Sequence, residues 1–139
     1  MDSSGNGYNP LRWDCEKQGC FNLKRRPKIE LFSELFPGKI SFGDVDGLVE
    51  INGRGLMLEW KTFAGKIPMG QKITYEKLSR DGLITVLCIV GDAETMEIRN
   101  HCIFFKGKRL PVNGYKDSNL EAIKQIIKRW VAHAKNQKE

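Results

Sequence analysis

The sequence contains few cysteines and no long apolar run. Its 139 residues include four cysteines, too few for the disulfide framework of a small secreted protein. No apolar stretch approaches the roughly 18 residues that a membrane span requires, and the opening MDSSGNGYNP lacks the basic-then-apolar order of a secretory signal. We therefore expect a cytoplasmic protein without a membrane partner.

Two of the cysteines have a spacing that raises the question of a zinc site. Cys15 and Cys20 could supply half of the ligands, but no second pair follows at a suitable spacing. Cys88 lies within an apolar run, which favours a buried thiol. Free thiols are therefore expected.

The composition is that of a folded globular chain with excess positive charge. Apolar residues make up 40% and charged residues 29%, which fits one domain with a substantial core. The formal net charge of +6 favours a polyanionic partner without identifying it. We expect a single domain over residues 1–139, with an irregular arm at 1–22, a core at 24–91, and a β extension and closing helix at 92–139.

Hydrophobic periodicity and turn residues predict the order of helices and strands. The predicted elements are a short helix from Pro27 to Phe36, strands at about 39–51 and 54–63, a helix at 70–80, a buried strand at 83–91, a strand or hairpin at 94–105, a turn at 106–109, and a closing helix that begins with a Ser118–Glu121 capping box. This order indicates an α/β fold, in which helices flank a mixed central β-sheet.

The Asn-Gly pair at 52–53 predicts how the first two strands face each other. A two-residue turn there makes the numbers of facing residues add up to 105, so Asp46 faces Glu59 and Asp44 faces Lys61. The two-residue period of a strand places these four side chains on one face of the sheet. A slip of the turn by one residue would change the partners but not the faces. The opposite face collects an apolar set for helices to cover: Val45, Val49, Ile51, Leu56, Leu58 and Trp60.

Two facing carboxylates require compensation. At a side-chain separation of about 5 Å, Asp46 and Glu59 repel by roughly 3 kcal/mol at an effective dielectric constant near 20. A divalent cation would relieve this repulsion, and carboxylate oxygens suit Mg²⁺ or Mn²⁺. The alternative is that Lys61 neutralises one carboxylate while water solvates the other. The combination of Asp-x12-Glu-x-Lys, one shared face and a basic chain favours the cation.

The stretch DVDGLVEINGRGLMLEWKT resembles the motif of the PD-(D/E)XK nuclease superfamily. It is most similar in pattern to small Holliday-junction resolvases and VRR-type nuclease domains of phage and bacteria. The resemblance covers about residues 28–91 and implies an α-β-β-α-β restriction-endonuclease-like core. It further implies a metal-dependent endonuclease that acts on DNA, with junction or branched DNA as a candidate substrate, and a homodimer. The usual proline before the motif Asp is replaced by Val45, and Asp44 is an additional acid.

The resemblance also implies roles for individual residues. Asp46, Glu59 and Lys61 match the catalytic motif, and the Trp60 carbonyl would join the two carboxylates as a metal ligand. Further implied catalytic residues are Gln71 and an acid of the first helix, Glu30 or alternatively Glu34. Metal-activated water and positive charge at the phosphorane are what phosphodiester hydrolysis needs. Lys61 could serve either as a base or as a cation, and one or two metal ions fit the motif.

A basic run beside the first helix predicts contacts with the DNA backbone. The run supplies Lys24, Arg25, Arg26 and Lys28 as predicted nucleic-acid contacts, and the resemblance adds Gln71 and Tyr75. The alternative for the run is a solvated charged surface. Gln71 is expected to bind the scissile phosphate or the attacking water, or else to be a polar helix-start residue with no further role. The alternative function is a basic nucleic-acid-binding module that keeps the nuclease fold but does not cleave.

Overall fold

The structure, a computed structural model, describes residues 4–5, 7–8 and 27–136. The chain divides into two compact units, Met1–Asp44 and Val45–Glu139. Cys15 and Cys20 lie outside the described residues, so the structure does not test whether they bind zinc. The single-domain organisation stays a prediction.

In the amino-terminal unit, the predicted short helix is a 3₁₀ helix at Ile29–Leu35. No residue of this helix is buried, and Leu35 is 77% exposed. A phenylalanine cluster contacts it, with Phe42 edge-on to both Phe32 and Phe36. Seven residues give few hydrogen bonds, so the helix needs contacts outside itself, and the phenylalanine cluster supplies one. The same unit contains two short parallel strands, β1 (Ser4–Gly5) and β2 (Gly7–Tyr8).

The second unit is an α/β sheet structure. Its elements are β3 (Gly47–Ile51), β4 (Arg54–Lys61), α1 (Met69–Leu78), β5 (Ile84–Asp92), β6 (Glu97–Phe105), β7 (Lys108–Leu110), β8 (Lys116–Asp117) and α2 (Leu120–Asn136). Within the described residues the strands form one mixed six-stranded sheet, in the order β3-β4-β5-β6-β7 with β8 beside β6. Strands β4 and β5 are parallel, and the other neighbours are antiparallel. The predicted α/β class and mixed sheet are confirmed.

The predicted hairpin turn is confirmed. Asn52 and Gly53 adopt φ of 54° and 80°, as a type I′ turn requires. The ladder pairs Gly47 with Leu58 and continues to the turn. The two residue numbers of every pair add up to 105, as predicted. The first strand begins at Gly47 rather than near 39, because Ser, Gly and Asp between 41 and 46 favour turns over strands. Residues 44 and 46 therefore lie beyond the end of the ladder.

The two faces of the sheet bury different apolar clusters. Strand β5 is buried along most of its length, as its continuous apolar run predicts. Leu87 and Ile89 pack towards α2 with Trp130, whereas Val86 and Cys88 pack with Tyr75 of α1. The sheet is therefore covered by one helix on each face.

The predicted apolar face of the hairpin is the α2 face. Leu56, Leu58 and Trp60 pack into the cluster with α2, and Met57 of the same strand packs on the α1 side. Val45 and Val49 are exceptions, since about half of each is exposed. The odd-numbered positions of β4, including Glu59 and Lys61, thus share the α1 face.

The closing helix is confirmed, but its predicted cap is wrong. Asn119 Oδ1 accepts the Ala122 N–H at 2.8 Å, so Asn119 rather than Ser118 caps α2. The reason is tertiary, because the Ser118 N–H donates to the Arg99 carbonyl and holds residue 118 against β6. The turn predicted at 106–109 joins β6 to β7. Neither helix of this unit, nor any other in the described ranges, has the length and apolar character to span a membrane.

Candidate active site

The Asp46 carboxylate terminates the β3–β4 ladder. Its Oδ2 accepts a hydrogen bond of 2.7 Å from the Trp60 N–H, two residues past the last paired position, Leu58. The side chain takes the place that a strand carbonyl would occupy if β3 continued. This bond fixes the carboxylate beside the carboxyl-terminal end of β4.

Glu59 presents one satisfied and one unsatisfied carboxylate oxygen. Oε1 accepts a hydrogen bond of 3.0 Å from the Tyr75 hydroxyl. Oε2 is buried and has no hydrogen-bond partner within the described residues. An unpaired buried carboxylate oxygen is costly, so a proton or a cation would stabilise it.

The surroundings shift the pKa of both partners in that bond. Burial raises the pKa of Glu59, the hydrogen bond from Tyr75 opposes this, and the charge of Asp46 raises it further, while the Lys61 charge and the Asp46 backbone N–H have smaller lowering effects. Asp46 and Glu59 therefore repel each other, as the hairpin register predicts. Burial and the Glu59 charge raise the pKa of Tyr75 far above its ordinary value, which keeps its hydroxyl protonated as a donor.

Lys61 lies on the same face as Glu59 and is held by α1. Its Nζ donates to Gln71 Oε1 at 3.4 Å, and Gln71 occupies the first turn of the helix that begins at Met69. The Lys61 charge lowers the pKa of Glu59. Yet Lys61 forms no ion pair with any described residue, which weighs against the alternative that it simply neutralises a carboxylate.

Trp60 anchors this end of β4 through both of its N–H groups. Its indole N–H donates to the Gly91 carbonyl at 3.1 Å, and the β5–β6 bulge there has no room for a side chain, because a Cβ on Gly91 would lie 2.5 Å from the Glu97 carbonyl oxygen. The N–H and C=O of a strand residue point towards the same neighbour. The Trp60 carbonyl is therefore directed to the side on which Asp46 lies.

This donor set fits a hard divalent cation. Two carboxylates and a backbone carbonyl offer oxygen ligands, and Glu59 Oε2 accepts no hydrogen bond from any described residue. No group of three or more His, Cys, Asp or Glu side chains converges within the described ranges. Because only two side-chain carboxylates are offered, Mg²⁺ would be held by Asp46, Glu59 and the Trp60 carbonyl, and water would complete the coordination.

The remaining predicted residues belong to the amino-terminal unit or lie outside the described residues. Glu30 and Glu34 belong to the 3₁₀ helix of the amino-terminal unit, and Lys28 immediately precedes that helix. Lys24, Arg25 and Arg26 lie outside the described residues. Their predicted roles stay predictions.

Sequence reasoning did not find the hydrogen bond between Tyr75 and Glu59. A signal was present, because Gln71 and Tyr75 are one helical turn apart and so face the sheet together. Arg99 was also missed: it donates to the Thr62 carbonyl at 2.6 Å and fixes the chain just after Lys61.

Comparison with protein-family models, curated proteins and solved structures found no match to this chain.

Proposed function

We propose that the protein is a metal-dependent endonuclease that hydrolyses DNA phosphodiester bonds. The observation that carries the proposal is the buried, unpartnered Oε2 of Glu59, next to the Asp46 charge and on one face with Lys61. Mg²⁺ or Mn²⁺ bound by Asp46, Glu59 and the Trp60 carbonyl would supply a water of lowered pKa and orient the phosphate.

The chain's own residues provide the rest of the chemistry. Tyr75 holds Glu59 Oε1, which leaves Oε2 for the cation. Gln71 positions the Lys61 ammonium, which forms no close ion pair with a described carboxylate and can meet the negative charge of the phosphorane. Deprotonated, the same Nζ would be placed to take a proton from the attacking water.

DNA is the proposed substrate because the chain carries a formal net charge of +6 and resembles nucleases of the PD-(D/E)XK type. Junction or branched DNA is the proposed preferred structure. A homodimer is part of the same proposal, since two symmetric cuts in a junction require two centres.

The second candidate is a nucleic-acid-binding module that does not cleave. The pair of Asp46 and Glu59 disfavours it, because two carboxylates on one face repel a phosphate backbone and serve no purpose in a pure binder. In the nuclease, a bound cation neutralises the two carboxylates and so removes this repulsion. A binding module without a metal would keep the repulsion.

A cleavage panel tests the proposal. The full chain is incubated with supercoiled, single-stranded and four-way-junction DNA in Mg²⁺, Mn²⁺ or EDTA. We expect cleavage with metal only, a loss of about 100-fold or more in Lys61→Met, and normal activity in the control Lys66→Met, which removes an exposed loop lysine. DNA binding without cleavage under both metals would instead support the binding module.

A further inference from the structure

A cavity lies on the other face of the sheet, away from Glu59 and Lys61. It has a volume of about 840 Å³ and is bordered by β6, β7, β8 and α2. In the β5–β6 ladder, His101 pairs with Ile89 and Ile103 with Leu87, and those β5 residues pack towards α2. His101 and Ile103 therefore face α2, whereas the candidate active site faces α1.

The cavity wall contains a buried polar atom without a partner. His101 is only 7% exposed, and its Nδ1 has no hydrogen-bond partner among the described residues. Buried ring nitrogens are normally hydrogen-bonded. His101 also lines the cavity, so a ligand bound there would contact its imidazole ring.

The charges around the cavity favour a negative ligand. Lys116 and Arg129 both line it, against a single carboxylate, Asp117. That carboxylate is engaged, since its Oδ1 accepts from Asn100 Nδ2 at 3.2 Å. Burial and the two cations lower the pKa of His101, which is the effect expected where positive charges meet without an anion.

Apolar side chains form the rest of the wall. Ile103, Leu110 and Ile126 line the cavity beside the polar groups. A concave apolar wall with a few convergent polar groups is typical of small-molecule sites, which have volumes of roughly 300–1,000 Å³. The ligand should therefore combine an anionic head with an apolar body.

We propose that this cavity binds a small organic anion, whose phosphate or carboxylate head contacts His101, Lys116 and Arg129 and whose apolar body packs on Ile103, Leu110 and Ile126. The site is independent of DNA cleavage, because it lies on the opposite face of the sheet. It adds a ligand-binding site to the protein whether or not the chain is a nuclease.

Calorimetric titration of the full chain tests the site with two aromatic anions. Phenyl phosphate and benzoate present the two head groups on the same ring, and phenol lacks the charge. We expect saturable binding of phenyl phosphate, of benzoate or of both. The difference between their affinities shows whether the site prefers a phosphate or a carboxylate. Phenol should not bind. Absence of binding by both anions would overturn the proposal.

A matched pair of α2 variants tests where the anion binds. Arg129→Gln removes a charge that lines the cavity, and Lys128→Gln removes the neighbouring exposed charge that does not. We expect Arg129→Gln to weaken binding by about tenfold, equivalent to about 1.4 kcal/mol, and Lys128→Gln to leave it unchanged. Equal effects of the two changes would overturn the assignment.

Imidazole NMR gives a second readout that does not depend on a variant. The chain has two histidines, so the signals of His101 and His133 can be followed together. The bound anion should raise the pKa of His101 and leave the chemical shifts of the His133 ring unchanged. A pKa of His101 that is insensitive to a bound anion would contradict the proposed contact.

Discussion

The Tyr75 hydroxyl donates a hydrogen bond of 3.0 Å to Glu59 Oε1, and this bond joins α1 to the end of β4. The same helix holds Lys61 through Gln71. A single helix thereby orients both the carboxylate and the ammonium of the Glu-x-Lys pair. The position of α1 on the sheet thus controls the geometry of the candidate active site.

Replacing Glu59 by Gln should stabilise the protein at neutral pH when no metal is present. Burial raises the pKa of Glu59 above its ordinary value of 4.5, so the folded chain holds this proton more tightly than the unfolded chain, and stability falls as pH rises through the folded pKa. Because solvent partly screens this half-buried carboxylate, we expect Glu59→Gln to raise the melting temperature at pH 7 in EDTA by at most about 4 °C.

At pH 4 the two proteins should melt at nearly the same temperature, because Glu59 is then largely protonated in both states. Circular dichroism melting at the two pH values measures the effect. A Gln variant less stable than the parent at both pH values would show that the Glu59 carboxylate is already satisfied within the fold.

Tyr75→Phe should cost stability and shift the pH dependence of cleavage. Without the hydroxyl, Oε1 loses its donor, which we expect to cost about 1–2 kcal/mol, while the ring packing on Phe104 is kept. Because the Tyr75 hydrogen bond lowers the pKa of Glu59, its loss raises that pKa. The acidic limb of the cleavage profile should therefore move to higher pH.

Tyr115→Phe is the matched control for this change. It removes a tyrosine hydrogen bond of 2.8 Å to the Gly65 carbonyl, but not one to Glu59. The control should lose stability in urea denaturation without a shift of the acidic limb. The same shift in both variants, or in neither, would rule out the assigned effect of Tyr75.

Two substitutions at Asp46 separate its structural and electrostatic contributions. Asn can still accept a hydrogen bond from the Trp60 N–H, so we expect the unfolding free energy of Asp46→Asn to stay within about 0.5 kcal/mol of the parent. Ala cannot accept this hydrogen bond, and the unfolding free energy of Asp46→Ala should fall by about 1 kcal/mol. Both should lose Mn²⁺ affinity in calorimetry, because both remove the charge; full Mn²⁺ affinity in Asp46→Asn would exclude Asp46 as a ligand.

Cys88 and Cys102 should be unreactive in the native protein. They face each other across β5 and β6, both are fully buried as free thiols, and the contact with Cys102 together with burial raises the pKa of Cys88. In a background with Cys15 and Cys20 changed to Ser, an aromatic disulfide reagent should modify neither thiol without urea and both thiols in urea. Fast native reaction would contradict their burial.

Local signals explain what could be predicted from the sequence. The Asn-Gly turn lies between β3 and β4 and determines their register by itself. Because side chains alternate between the two faces of a strand, Glu59 and Lys61 must share one face. The continuous apolar run of β5 likewise requires cover on both faces.

Tertiary contacts explain what could not be predicted. The Asp46 side chain replaces a strand carbonyl at the Trp60 N–H, and no local pattern predicts this contact. The cap of α2 falls on Asn119 because the Arg99 carbonyl holds Ser118. The Tyr75 bond depends on where α1 rests on the sheet, which no local pattern specifies.

Anomalous diffraction from crystals grown with Mn²⁺ can show whether Asp46 and Glu59 share one divalent cation beside Lys61. We expect a manganese peak that contacts both carboxylates and disappears in Glu59→Gln. Well-ordered Asp46 and Glu59 side chains with no manganese between them would rule out the shared cation and with it the proposed nuclease site.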